Sequence, residues 1–139
     1  MFTEKELAYM HSQPLARLAT VANDMQPDAA AVGFQYDGIH FYIGGHNLPA
    51  SRKYKNIVNG NDKVALLIDD LASIEPWSPR GNRIYGTAEP VERAGRFGPG
   101  MYLRITPIVS WSWNIEGPAF VNGRFVNNKV LHRQESSGA

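Results

Sequence analysis

The hydrophobic positions of this chain fall in short runs separated by turn residues, the pattern of β-strands, with two brief stretches that read as helices. The first is announced by Thr3 and Glu6, spaced as a capping box in which each side chain satisfies the other's free backbone N–H, with Phe2 and Leu7 placed as a hydrophobic staple. This predicts a helix over 4–11. Leu15 to Ala22 reads as a strand closed by Asn23-Asp24, and Pro27 opens a second extended run through Gln35, so the pair forms a hairpin. Tyr36-Asp37-Gly38 is the next turn, followed by the β-branched and aromatic run Ile39 to Ile43, which Gly44-Gly45 ends.

Pro49 suits a first helical turn and Asn59-Gly60 a helix end, which predicts the second helix over 50–58. Lys63 to Ile68 has the composition of a buried strand. The Pro- and Gly-spiked stretch 75–82 reads as a loop, 83–91 and 102–113 as strands, and 93–100 as a Gly/Pro connection. About six strands with hairpin spacing and two short helices predict a mainly β or α+β fold, an antiparallel barrel rather than a parallel doubly wound sheet. The barrel is expected over 1–113. The tail 114–139, polar and Asn-rich after Gly117, is expected to be partly disordered.

At 139 residues and 43% hydrophobic content, one domain with one core is expected. The absence of cysteine excludes a disulfide framework, a thiolate metal site and a cysteine nucleophile. No metal site is expected. The first six residues lack the basic and apolar regions of a secretory signal and no run approaches a membrane span, so the expectation is a cytoplasmic protein with no membrane partner. A net charge of +1 gives no general attraction to nucleic acid. The dinucleotide glycine fingerprint, the P-loop, the nucleophile elbow and the zinc helix are all missing.

One stretch does carry chemistry. Arg52, Lys53 and Lys55 crowd the start of the second helix, where the macrodipole already favours negative charge. The arrangement becomes favourable if backbone N–H groups, the Ser51 hydroxyl and these cations converge on an anion such as phosphate. The plain alternative is a solvated basic helix face. His46, after the glycine pair, is a candidate donor to a phosphate or substrate oxygen; His11, His40 and His132 lack such a context. Asp69-Asp70 read as turn formers rather than substrate ligands. Trp111 and Trp113 share a strand face, and read as core or interface ahead of a wall for a flat ring.

Gly44-Gly45-His46-Asn47 leading into Arg52-Lys53-Tyr54-Lys55-Asn56, then Val64 to Asp70, Pro76-Trp77-Ser78-Pro79-Arg80-Gly81 and Gly86-Thr87-Ala88-Glu89, resemble the coenzyme F420-dependent branch of the pyridoxamine-phosphate-oxidase-like split-barrel proteins. The resemblance covers residues 1–113. It implies a six-stranded antiparallel split β-barrel of the FMN-binding kind with short flanking helices. It further implies that Arg52, Lys53 and Lys55 bind the cofactor's phosphate and acidic tail, with Ser51 and Asn56 supporting, and that backbone around Val32, Gly33, Ile43 and Gly44 faces the ring. The family forms homodimers with the cofactor in a shared groove, so Trp77 and Arg80 are expected to contribute from a second subunit.

The activity so implied is that of an oxidoreductase moving a hydride between a deazaflavin and a small conjugated or unsaturated organic substrate. Since the cofactor carries the chemistry, the missing acid–base motifs are no objection. No catalytic residue is named. The alternatives are an FMN-binding flavoprotein of the same fold and a non-enzymatic cofactor carrier; Lys55, a further cation for an acidic tail, favours F420.

Overall fold

The computed structural model describes residues 1–132. Ten strands, two α-helices and one 3-10 turn follow in the order α1 (Glu4–His11), β1 (Ala16–Val21), β2 (Pro27–Val32), β3 (Gln35–Tyr36), β4 (Phe41–Ile43), the 3-10 turn (Leu48–Ala50), α2 (Arg52–Val58), β5 (Lys63–Ser73), β6 (Ser78–Gly95), β7 (Gly98–Trp113), β8 (Phe120–Val121), β9 (Arg124–Phe125) and β10 (Asn128–Leu131). The main sheet runs β2-β1-β5-β6-β7-β4-β3, with β10 paired to β7, and every pairing is antiparallel. Around it close α1 and α2, giving the mainly β barrel that the sequence predicts.

The capping box forms as expected: the Glu6 carboxylate accepts from Thr3 N at 2.9 Å, and Thr3 Oγ1 accepts from Glu6 N at 3.1 Å. The core gathers alternate residues of the long strands, among them Leu18, Phe41, Ile43, Leu66, Ile68, Ile84, Leu103 and Ile105, all fully buried. Alternation along a strand sends one face inward and leaves the other for solvent or a partner.

Three expectations need correction. The loop over 75–82 shrinks to a turn at 74–77, because β6 starts at Ser78 and pairs with β5 through Asn82↔Ile68, Gly81↔Asp69, Arg80↔Asp70 and Pro79↔Leu71. Gly81 sits inside a strand because an added Cβ would lie 2.6 Å from Trp113 Cζ2 and 2.9 Å from Ile68 O. The connection over 93–100 likewise becomes a tight hairpin at Arg96-Phe97, with Arg93 opposite Gly100 in the ladder. Finally, the sheet does not stop at Trp113. Asn128–Leu131 pair with the β7 edge from Ser112 to Val109, which satisfies backbone groups that would otherwise be bare. The expected disorder thus does not extend over β8 to β10, and 133–139 lie outside the described residues.

A buried carboxylate ties this added strand to the N-terminus. Glu6 is fully buried and, besides Thr3 N, takes hydrogen bonds from Ser112 Oγ on β7 and Asn128 Nδ2 on β10. Nearby, His132 Nε2 lies 2.8 Å from Ser110 Oγ and its ring packs 4.3 Å from that of Phe2. Burial, reinforced by the N-terminal amine and opposed by Glu6, lowers the His132 pKa to about 4.

Candidate functional site

The second helix begins at Arg52, two residues later than predicted, because Leu48–Ala50 form a separate 3-10 turn. Ser51 is extended and caps it, with Oγ accepting from Tyr54 N at 3.4 Å and donating to Leu48 O at 2.6 Å. The Ser51 hydroxyl is therefore committed within the turn, and the helix it caps is only seven residues long. Asn56 is also spoken for: it is buried and donates from Nδ2 to Thr20 Oγ1 at 3.0 Å, anchoring α2 to β1.

The cations are different. Among the described residues the ion pairs are Arg17–Asp69, Arg80–Asp70 and Arg104–Glu89, so Arg52, Lys53 and Lys55 have no carboxylate within 4 Å. Arg52 and Lys55, one turn apart, line a cleft of about 520 Å³ between α2 and the β1–β2 turn. Asn23, Asp24, Gln26, Asn56 and Asn59 share its walls, and Asp24 spends Oδ1 on Gln26 N. Lys53 and Ser51 are not among its lining, and His46 is exposed on the loop before the 3-10 turn. Two cations without an ion-pair partner and several amides face this cleft beside the Asp24 carboxylate, a donor set that can hold an anionic group.

The four residues expected to face a ring lie elsewhere. Val32 and Ile43 end β2 and β4 with their side chains in the core and their backbones paired to Ala16 and Leu103, so neither side chain is offered to a ligand. Gly33 and Gly44 follow them, and the open faces of both glycines are covered by Phe97 from the β6–β7 hairpin, with Tyr102 also over Gly44.

Trp77 and Arg80 are not brought to either place. Trp77 is 67% exposed in the β5–β6 turn. Arg80 donates from Nε and Nη2 to Asp70 at 2.7 and 3.0 Å, and its guanidinium stacks 5.1 Å from the Tyr9 ring centroid. The Asp70 pKa is lowered chiefly by that guanidinium; the Tyr9 phenol is pushed up by burial and by its hydrogen bond to Asp70. Asp69 and Asp70 lie within β5 rather than forming a turn, each paired with an arginine.

The profile of the pyridoxamine 5'-phosphate oxidase family matches residues 2–116. The chain belongs to that family. It is thus placed among oxidoreductases. A relative from Streptomyces rimosus, the 5a,11a-dehydrotetracycline/5a,11a-dehydrooxytetracycline reductase, is 34% identical over 122 residues, covering 84% of this chain and 85% of its own. The solved structure of an F420 reductase superposes with a TM-score of 0.61 at 22% identity, covering 78% of this chain and 98% of its own. A heme binding protein from Mycobacterium smegmatis superposes with a TM-score of 0.67 at 14% identity, over 94% of this chain and 59% of its own. These two structures establish the barrel.

Within this pyridoxamine 5'-phosphate oxidase barrel, sequence reasoning missed Arg93, Phe97 and Tyr102. The Arg93 guanidinium lies 3.7 Å from the Tyr42 ring centroid, and its buried Nε has no acceptor. Tyr102 Oη accepts from Phe97 N at 3.1 Å and donates to Gly98 O. The signal available was the mixture of Gly, Arg and Phe in the connection over 93–100, whose glycines drew attention away from its aromatic residue.

Proposed function

We propose that this chain is a coenzyme F420-dependent reductase, transferring a hydride between the deazaflavin and a small conjugated or unsaturated organic substrate, and that it works as a homodimer. The observation that carries the reading is the pair Arg52 and Lys55, without an ion-pair partner among the described residues and facing one cleft. The reductase relative supports hydride chemistry on a conjugated polycyclic substrate.

The donor set of the cleft fits the acidic end of such a cofactor. Gly33, at the far end of β2 from the β1–β2 turn, stands roughly 20 Å along the strand from the cleft, at about 3.3 Å per residue. A ligand that engages both carries its negative charge at one end, and a second cation beyond the one a phosphate needs favours a cofactor with an acidic tail. When bound, a deazaflavin supplies a ring carbon that carries the hydride.

The chain's own residues bind and orient. Arg52 and Lys55 hold the tail, Asn56 fixes their helix to β1 through Thr20, and the backbone at 33 and 44 forms a floor backed by the core residues Val32 and Ile43. That apolar backing excludes water and fixes the distance between donor and acceptor carbons, the two contributions a protein makes to cofactor chemistry. For the dimer, the support is an aromatic patch on β6 and β7, where Arg83 lies 4.7 Å over Trp111 and 5.5 Å over the exposed Tyr85. Aromatic and arginine side chains of this kind are enriched at interfaces.

The test is equilibrium binding of coenzyme F420 and of FMN to wild type and to the Arg52→Ala/Lys55→Ala variant, at low and high salt. Preference for F420, weakened by salt and by about tenfold or more for each cation removed, is the expected result. Preference for FMN would move the chain to the flavin reading, and binding that ignores both substitutions would remove the cleft from the site.

A further inference from the structure

Two glycines on neighbouring segments share one aromatic cover. Neither Gly33 nor Gly44 has a left-handed backbone, so conformation does not require glycine at either position. Space does. A Cβ at Gly33 would lie 2.9 Å from Phe97 Cζ, and one at Gly44 would lie 2.8 Å from Phe97 Cδ2 and 2.5 Å from Tyr102 Cε2. A single flat ring already rests against both glycine faces, at the floor proposed for the cofactor ring.

The side chain that supplies it is partly exposed. Phe97 is 44% exposed, at the very turn of the β6–β7 hairpin, and its backbone N–H bonds the Tyr102 hydroxyl. Beneath the same hairpin end, Arg93 keeps a buried Nε–H with no acceptor, and a Cβ at Gly95 would come within 3.1 Å of that Nε and 3.2 Å of Tyr102 Oη. A buried donor left without a partner is costly and calls for an explanation, such as an acceptor that arrives with a ligand.

We propose that Phe97 is a removable plug: it covers the Gly33–Gly44 floor in the free protein and is exchanged for the planar ring of the cofactor when the hairpin tip swings out. This rests on the cofactor reading above and adds the control of access to it. Replacing one aromatic ring by another conserves the contact with both glycine faces, so the exchange conserves most of the packing. Covering the floor also spares the free protein an exposed apolar patch. The plug reduces apparent affinity by the fraction of molecules in which the seat is open.

The experiment compares binding of coenzyme F420 and FMN to wild type and Phe97→Ala, together with backbone amide relaxation dispersion in the free proteins. If the plug is seated nine-tenths of the time, the alanine variant binds about tenfold more tightly. Shared exchange at the amides of Gly33, Gly44 and Phe97 is expected in wild type, and its loss at Gly33 and Gly44 in the variant. Flat dispersion profiles in wild type, or affinity unchanged or weakened by Phe97→Ala, would overturn the plug while leaving F420 binding by wild type intact. Binding of neither cofactor to either protein would instead overturn the cofactor reading and, with it, the plug.

Discussion

Arg80 grips Asp70 through both Nε and Nη2, and the Tyr9 hydroxyl donates to the same carboxylate at 2.8 Å, so one acidic side chain joins α1, β5 and β6. The arrangement engages Arg80, one of the arginines expected at a cofactor groove, with an acidic side chain of the same chain.

Asp70→Asn is expected to lower stability by roughly 1 kcal/mol at neutral pH, a modest figure because both partners are partly exposed and screened. The folded pKa of Asp70 is depressed, so its contribution is present above the ordinary carboxylate value of about 3.9 and is lost as pH falls through the folded value. Urea melts of the variant should therefore show a shallower acid limb than wild type below about pH 4.

His132 adds a second acid-sensitive contribution in a higher window. Its folded pKa is lowered to about 4 from 6.5, so the folded state binds fewer protons than the unfolded chain between those values and stability falls as pH drops from 6.5 toward 4. His132→Gln should flatten that interval, read by thermal melts from pH 4 to 7; an unchanged slope would remove the histidine from the acid response.

Asn56 separates anchoring from ligand binding. Asn56→Ala removes the buried hydrogen bond to Thr20 and should destabilise the cofactor-free protein by about 1–2 kcal/mol. Arg52→Ala/Lys55→Ala should leave the melting temperature nearly unchanged, since Arg52 in the first turn opposes the helix dipole while Lys55 in the last turn favours it.

Gly33→Ala places a methyl group against Phe97 alone, whereas Gly44→Ala also meets Tyr102. Gly44→Ala should cost about 1–3 kcal/mol and Gly33→Ala less, because only the tip of an exposed ring must give way there. The penalty at 33 should largely vanish in a Phe97→Ala background and that at 44 should not, a coupling of about 0.5–3 kcal/mol that a double-mutant cycle reads directly.

What the sequence makes legible follows the range of the interactions involved. Thr3 and Glu6 are three residues apart and announce their helix without help from the rest of the fold. The basic cluster of Arg52, Lys53 and Lys55 is equally local, and none of the three forms an ion pair among the described residues. Gly81 misleads because its reason, the Trp113 ring, is thirty-two positions away, and so a strand residue takes on the look of a loop. Phe97 over Gly33 and Gly44 is hidden in the same way: each glycine reads as a turn or a ligand contact until the hairpin that folds onto both is known. β10 is polar and weakly patterned, and it is ordered by the bare edge of β7 and by Glu6 rather than by its own propensity.

The stack of Phe2 on His132 joins the two extremes of the described chain. The entropy of closing so long a loop grows only logarithmically with its length, so the contact is affordable at equilibrium. Kinetically it is another matter: contacts so distant in sequence form slowly and reward the chain only once the strands between them are paired. The seam of α1, β7 and β10 around Glu6 is thus expected to close last in folding and to open first in unfolding.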